Sequence, residues 1–277
     1  MAVAIEAFGR SDRGCTREKN EDDFLCLDLT AAGESADFAW LLAVADGIGG
    51  HTGGAQASTI AVQTLEQEFA GPSGRNAAPR EILERVFEKA NGRIFEAASR
   101  MEDASGMGTT LVAALIGSGD AWVANVGDSR AYLLRRGRLL QITQDQSWAS
   151  EQRRKKTMSE KDIRSSPFRT MVTRSLGFAK QVEVDVFPIK LETGDALLLC
   201  SDGLYGALPE KKLRRLLKKS APLKDTSAEL LRLANKKGGP DNITAVLARL
   251  HPENAVRRGA AADTVVLRSE RPPKEGR

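Results

Sequence analysis

Apolar residues recur along the chain in two rhythms. Residues 2–8 and 23–29 read as strands, and 38–45 is an unbroken apolar run closed by Asp46-Gly47, which predicts a buried strand. From Ala55 to Phe69 the spacing changes to helical steps through Ile60, Val62, Leu65 and Phe69, and Gly71-Pro72-Ser73-Gly74 ends that helix. A second helix is predicted over about 79–101 from Ile82, Leu83, Val86, Phe87, Ala90, Ile94 and Phe95. Short strands follow at 109–116, 121–126, 130–135 and 138–143, joined by turns at Gly117-Ser118-Gly119, Gly127-Asp128-Ser129 and Arg136-Gly137. Connections this short favour antiparallel neighbours.

Residues 147–177 are polar, basic and weakly periodic, and read as a mobile insertion more than a core element. Strands resume at 182–189 and 196–200, then helices at about 209–219 and 225–236, then a strand at 242–250. The order is strands, two helices, strands, two helices, strand. It predicts an α+β fold, a sandwich of antiparallel β-sheets covered by helices, and not a doubly wound parallel sheet. With no repeat or interior linker, residues 1–250 read as one domain and 251–277, rich in Arg, Pro and Ala, as a flexible tail.

Composition narrows the class. The chain has 277 residues, enough for a substantial core, and 41% hydrophobic residues exclude disorder throughout. Its longest apolar stretch, 38–45, is far short of the roughly 18 residues of a membrane span. The first eight residues carry Glu6 and no basic region, so no signal peptide is read and a cytoplasmic location is expected. Cys15, Cys26 and Cys200 are odd in number and scattered, which points to reduced thiols. The net charge of +4 is unevenly placed: 151–165 carries +3, 209–219 carries +5 and 251–277 carries +2, leaving the remainder at −6. The acids of that remainder need an account.

Four aspartates stand where apolar strands stop or start. Asp46 follows the run 40–45, Asp202 follows 196–201, Asp241 precedes 243–247 and Asp128 lies in the turn Val126-Gly-Asp-Ser129. Glu21 and Asp22 add two more in Arg17-Glu-Lys-Asn-Glu-Asp22. Any one Asp-Gly pair is an ordinary turn. Gathered without counter-charge, such carboxylates would have to take up protons or cations. Oxygen ligands without paired His or Cys suit magnesium or manganese and not zinc.

Seven blocks carry a family resemblance: Ser11-Asp-Arg-Gly-Cys-Thr-Arg-Glu-Lys-Asn-Glu-Asp22, Ala45-Asp-Gly-Ile-Gly-Gly-His51, Gly106-Met-Gly-Thr-Thr110, Asn125-Val-Gly-Asp-Ser-Arg130, Thr173-Arg-Ser-Leu-Gly177, Leu199-Cys-Ser-Asp-Gly203 and Gly239-Pro-Asp-Asn-Ile-Thr244. In this order the set resembles the bacterial metal-dependent protein phosphatases of the 2C class. The resemblance implies a four-layer αββα sandwich with two divalent cations, manganese or magnesium, at one end of the sheets. By position it implies that Asp46 bridges the ions, that the Gly47 carbonyl binds one, and that Asp202 and Asp241 bind the other. Glu21 would act there through water, with Asp22 and Asn242 in support, and Asp128 with Asp202 would hold a weaker third ion. The implied activity is hydrolysis of protein phosphoserine and phosphothreonine by a metal-bridging hydroxide, in a monomer that opposes a bacterial serine/threonine kinase.

Two further residues fit that chemistry. The Arg17 guanidinium offers a planar fork for phosphate. His51 suits protonation of the leaving alkoxide, and equally suits a hydrogen-bonding role behind the ligands. Ala55 stands where relatives often have Glu, and Gln146 where they often have His; neither is an expected ligand. The stretch 147–177 corresponds to the family's variable flap, and its Arg153-Arg-Lys-Lys156 reads either as a solvated face or as a dock for an acidic phosphoprotein.

Rival readings fare worse. A dinucleotide site would need glycine at Thr52, and Asp46 would face the pyrophosphate. Basic segments raise the prospect of nucleic-acid binding, but 14 aromatics, few of them among basic residues, offer little stacking surface. An inactive regulatory homologue would have lost ligands that are present here. No nucleic-acid or membrane partner is therefore expected. In the tail, Asp263-Thr-Val-Val-Leu-Arg268 reads as a possible kinase site at Thr264 or simply as unstructured chain.

Overall fold

A computed structural model describes residues 3–30, 38–49, 53–70, 77–100 and 106–252. Its strands are β1 (Val3–Asp12), β2 (Asp22–Asp28), β3 (Phe38–Ile48), β4 (Gly108–Thr109), β5 (Leu111–Gly117), β6 (Asp120–Val126), β7 (Arg130–Arg135), β8 (Arg138–Gln141), β9 (Asp185–Lys190), β10 (Ala196–Cys200) and β11 (Ile243–Pro252). The helices are α1 (Gly53–Ala70), α2 (Pro79–Ala98), α3 (Trp148–Lys155), α4 (Glu160–Ser165), α5 (Asp202–Tyr205), α6 (Glu210–Leu217) and α7 (Leu223–Lys236). One sheet has the order β1-β11-β10-β7-β8 and the other β2-β3-β5-β6-β9, with β4 paired to β3. Every pairing is antiparallel.

Antiparallel strands usually alternate apolar and polar residues because one face is wet. Here both faces are covered, which explains the continuous apolar runs. Along β3, Leu42 and Val44 point between the sheets, while Leu41, Ala43 and Ala45 pack toward α1 and α2. Along β10, Leu197 and Leu199 join that central layer, while Ala196, Leu198 and Cys200 pack under α6 and α7. The result is four layers, α1 and α2, two sheets, then α6 and α7, as expected. Phe69, Phe87 and Tyr132 are wholly buried, each contributing about 1.5–3 kcal/mol of transfer free energy.

The stretch 147–177 departs from expectation. It carries α3 and α4, each started by a serine whose side chain accepts a backbone N–H: Ser147 from Ser150 and Ser159 from Asp162. Ala149 and Ile163 are buried there, and Ser147 bridges Val172. Two helices of eight and six residues leave too few turns for a visible apolar period. Caps, not periodicity, were their signal. The proposed tail from residue 253 onward lies outside the described residues, as does Thr264. The three cysteines are free thiols, with Cys26 and Cys200 buried.

Candidate active site

One pole of the sandwich collects strand ends. Asp12 of β1 pairs with Ile243 of β11, Cys200 of β10 pairs with Arg130 of β7 and with Ala245, and Asp22 of β2 lies opposite Asp46 of β3. Asp46, Asp128, Asp202 and Asp241 are therefore brought together by chain direction, although as many as 195 positions separate the first from the last. With Glu21, Gly47 and Arg17 they line a cavity of about 870 Å³. Residues 170–175 line the same cavity with Phe178, Ala179, Gln181, Val182 and Glu183, so the end of the 147–177 stretch borders it. Arg174, which the sequence reading did not single out, also lines it and pairs with Glu183 and Asp185.

Close backbone approach holds the loops. Gly14 has φ +80°, and a Cβ there would run into the Asp241 carbonyl; a Cβ on Gly203 would run into that of Asn242. Only glycine permits both conformation and contact at position 14. Asn242 is buried and spans the loop 13–21: its Oδ1 accepts from Glu21 N–H at 2.8 Å, and its Nδ2 donates to the carbonyls of Arg13 at 2.8 Å and Lys19 at 2.9 Å. Asp46 is fixed through its backbone. Its N–H donates to Thr110 Oγ1, and its carbonyl accepts from Thr110 N–H and Thr109 Oγ1.

Asp22, 4% exposed, ends a directional relay. Asn20 Nδ2 donates to Ser11 Oγ, which bonds Thr244 Oγ1 at 2.7 Å; Thr244 donates to Asp22 Oδ2 at 2.6 Å, and Ser201 Oγ donates to the same oxygen at 2.7 Å. Among the described residues, the buried Asp22 Oδ1 has no hydrogen-bond partner. The turn bearing Asp128 has its own support. Arg130 grips Asp145 with two bonds at 2.9 and 2.6 Å, donates to Tyr132 Oη, and lies 3.7 Å over the Tyr205 ring. Tyr205 Oη donates to the Asp128 carbonyl. Burial is the largest single influence and pulls Arg130 down, but the hydrogen bond and charge of Asp145, with Tyr132 and Tyr205, together outweigh it and hold the guanidinium above its ordinary value. Gln146 takes a structural part: its Oε1 accepts from Gly127 N–H and its Nε2 donates to Asp185.

The acids raise one another. Burial first, then Asp22, Asp202, Asp128 and Asp241, hold the Asp46 carboxyl well above its usual range. Burial likewise pushes Asp22 and Asp128 up to about 7 and Asp202 to about 6, and raises Glu21. Arg17 Nη2 bonds Asp241 Oδ2 at 2.8 Å, which raises Arg17 in turn. Among the described residues no three His, Cys, Asp or Glu side chains already close into one coordination shell. A divalent cation would relieve the mutual repulsion of these carboxylates. The all-oxygen set and the orphaned Asp22 oxygen fit a hard cation such as magnesium or manganese. His51 lies outside the described residues.

Comparisons with known proteins find phosphatases of one class. The family model for protein phosphatase 2C matches residues 16–248. The serine/threonine phosphatase Stp of Listeria innocua is 37% identical over 261 residues, 93% of this chain and 100% of that protein. The serine/threonine phosphatase of S. agalactiae superposes with a TM-score of 0.81 at 31% identity, covering 89% of this chain and 99% of that one. The catalytic domain of the phosphatase PstP, in complex with two manganese ions, gives 0.77 at 30% identity over 90% of this chain and 100% of that one.

Proposed function

The chain belongs to the protein phosphatase 2C family and is a protein serine/threonine phosphatase, and from that premise we propose that the acid-lined cavity is where phosphoserine and phosphothreonine esters are hydrolysed. One observation carries the reading: Glu21, Asp46, Asp128, Asp202 and Asp241 line a single cavity with Arg17 beside them. The family is metal-dependent. Asp46, the Gly47 carbonyl, Asp202 and Asp241 would hold two divalent cations, magnesium or manganese, with Glu21 contributing through water and Asp128 with Asp202 offering a weaker third position. Such cations, when bound, supply a water of lowered pKa and neutralise phosphoryl charge.

The chain's own groups do the rest. Arg17 is half exposed beside Asp241, and its planar fork has donors to spare for phosphoryl oxygens. Asn242 and the Asp22 relay keep Glu21 and Asp46 in register. His51 is the candidate donor to the leaving alkoxide. Among the described residues no helix is long and apolar enough to cross a membrane. The counterpart in the cell would be a serine/threonine kinase, and the working form a monomer.

The decisive experiment follows phosphate release from a phosphothreonine peptide as manganese is titrated, with manganese binding measured separately by calorimetry. Wild type should turn over only with metal. Asp202→Asn should bind metal weakly and lose activity by about a hundredfold or more. Full activity in chelator, or in that variant, would remove these residues from the mechanism.

A further inference from the structure

The sequence leaves Arg153-Arg-Lys-Lys156 of the flap as either a solvated face or an acidic dock. Arg153 and Arg164 both pair with Glu160, and Lys155 pairs with Glu151, so three of the six basic side chains of residues 151–165 are answered within that stretch. On α6 the case differs. Leu213, Leu216 and Leu217 are buried in the layer under the helix, while Lys211, Arg214 and Arg215 on it, and Lys218 and Lys219 directly after its end, are exposed. Their spacing of i, i+3, i+4, i+7 and i+8 makes one continuous exposed stripe. Among the described residues none of these five enters an ion pair. Like charges at this spacing repel. The helix C-terminus favours cations nearby, but it leaves Lys211, a turn earlier, unexplained.

Location gives the stripe a use. The helix starts eight positions after Asp202 in the chain. It ends with Lys218 against Gly137, in the β7–β8 turn at the opposite pole. It thus lies on the stretch of chain that leaves the cavity at Asp202 and packs against β8. Its apolar side is used by the core, so nothing remains to insert into lipid. Residues 209–219 contain no aromatic side chain on which a base could stack.

We propose that this stripe on α6 is a docking surface for an acidic segment of a phosphoprotein substrate whose phosphorylated residue sits in the cavity. The inference rests on the phosphoprotein hydrolase reading and adds a substrate class, proteins with Asp- and Glu-rich chain near the phosphosite.

The test uses the full chain with manganese and three substrates: p-nitrophenyl phosphate, a phosphothreonine peptide with a long Asp/Glu flank, and the same peptide with Asn/Gln in its place. Wild type should prefer the acidic peptide through KM, and the preference should vanish at about 0.5 M salt. The variant K211E/R214E/R215E/K218E should raise KM for the acidic peptide about tenfold, leaving kcat and both other substrates unchanged. The neutral K211Q/R214Q/R215Q/K218Q should shift KM in the same direction by less. Turnover of p-nitrophenyl phosphate reports the cavity itself, so a failed dock and a failed active site are told apart. Equal use of both peptides by wild type, equal losses on all three substrates, or a stripe that binds duplex DNA and ignores the peptide would each overturn the proposal.

Discussion

The backbone N–H of Glu21 donates to the side-chain oxygen of Asn242 at 2.8 Å, across 221 positions of sequence. The same amide group holds the carbonyls of Arg13 and Lys19. A single side chain thereby fixes the loop that carries Arg17 and Glu21 against the strand end that carries Asp241. Metal affinity and phosphate capture should depend on it, although Asn242 need touch neither.

Asn242→Ala is expected to leave three backbone groups without their partner in a half-buried place, at a cost of about 1–3 kcal/mol. Urea unfolding should show that loss with an unchanged slope, and calorimetry should show weaker manganese binding. A variant as stable as wild type, with unchanged metal affinity, would mean that the loop is held by other contacts.

Arg130→Met removes one partner of a largely buried pair and leaves Asp145, 9% exposed, without its cation. The expected loss is about 3–5 kcal/mol. Arg130→Met with Asp145→Leu should recover most of it, because the uncompensated charge is then gone. The Asp128 turn, reached from Arg130 through Tyr205, should loosen in both variants and show faster amide exchange. Identical stability of single and double variants would contradict this account.

Much of the fold was legible because the sandwich covers both faces of its central strands. Runs such as 38–45 and 196–200 are apolar throughout, and the acids that end them mark the pole where the site forms. The helices α3 and α4 were not legible, since Ser147 and Ser159 start them but few apolar residues follow. Asp46, Asp128, Asp202 and Asp241 could be grouped from their places at strand ends, while their separate roles came only from the family's motif blocks. The Asp22 relay could not be read as geometry: Thr244 and Ser201 lie 222 and 179 positions from Asp22, and only strand register brings them together. Gln146 was noted as a departure, yet its two bonds show an amide that ties the Asp128 turn to β9.

Arg17→Ala separates binding from stability. Its pair with Asp241 is about half exposed on the arginine side, so the fold should lose no more than about 1 kcal/mol. For a phosphothreonine peptide, KM is expected to rise by about ten- to a hundredfold through loss of a charge-assisted fork. Arg17→Lys should recover only part of that, because an ammonium cannot bond two oxygens in one plane. Steady-state kinetics at saturating manganese would decide it, and an unchanged KM in both variants would remove Arg17 from phosphate recognition.

Metal and protons should oppose each other in stability. Burial and neighbouring acids raise Asp22 and Asp128 to about 7 and Asp202 to about 6, against about 3.9 for an aspartate in unfolded chain. Between those values the metal-free fold binds more protons than the unfolded chain. Stability from these groups is therefore complete below about pH 4 and is lost as pH rises through about 6–7. Calorimetry in chelator should then give a Tm that falls from pH 5 to pH 8. Divalent cations need the same carboxylates deprotonated, so manganese affinity rises over that range. At a hundred times Kd, binding adds about 2.7 kcal/mol, and the Tm with manganese should rise, or fall far less, from pH 5 to pH 8. The gap between the two curves should close in Asp202→Asn. Parallel curves with and without metal would show that these carboxylates do not hold the ion.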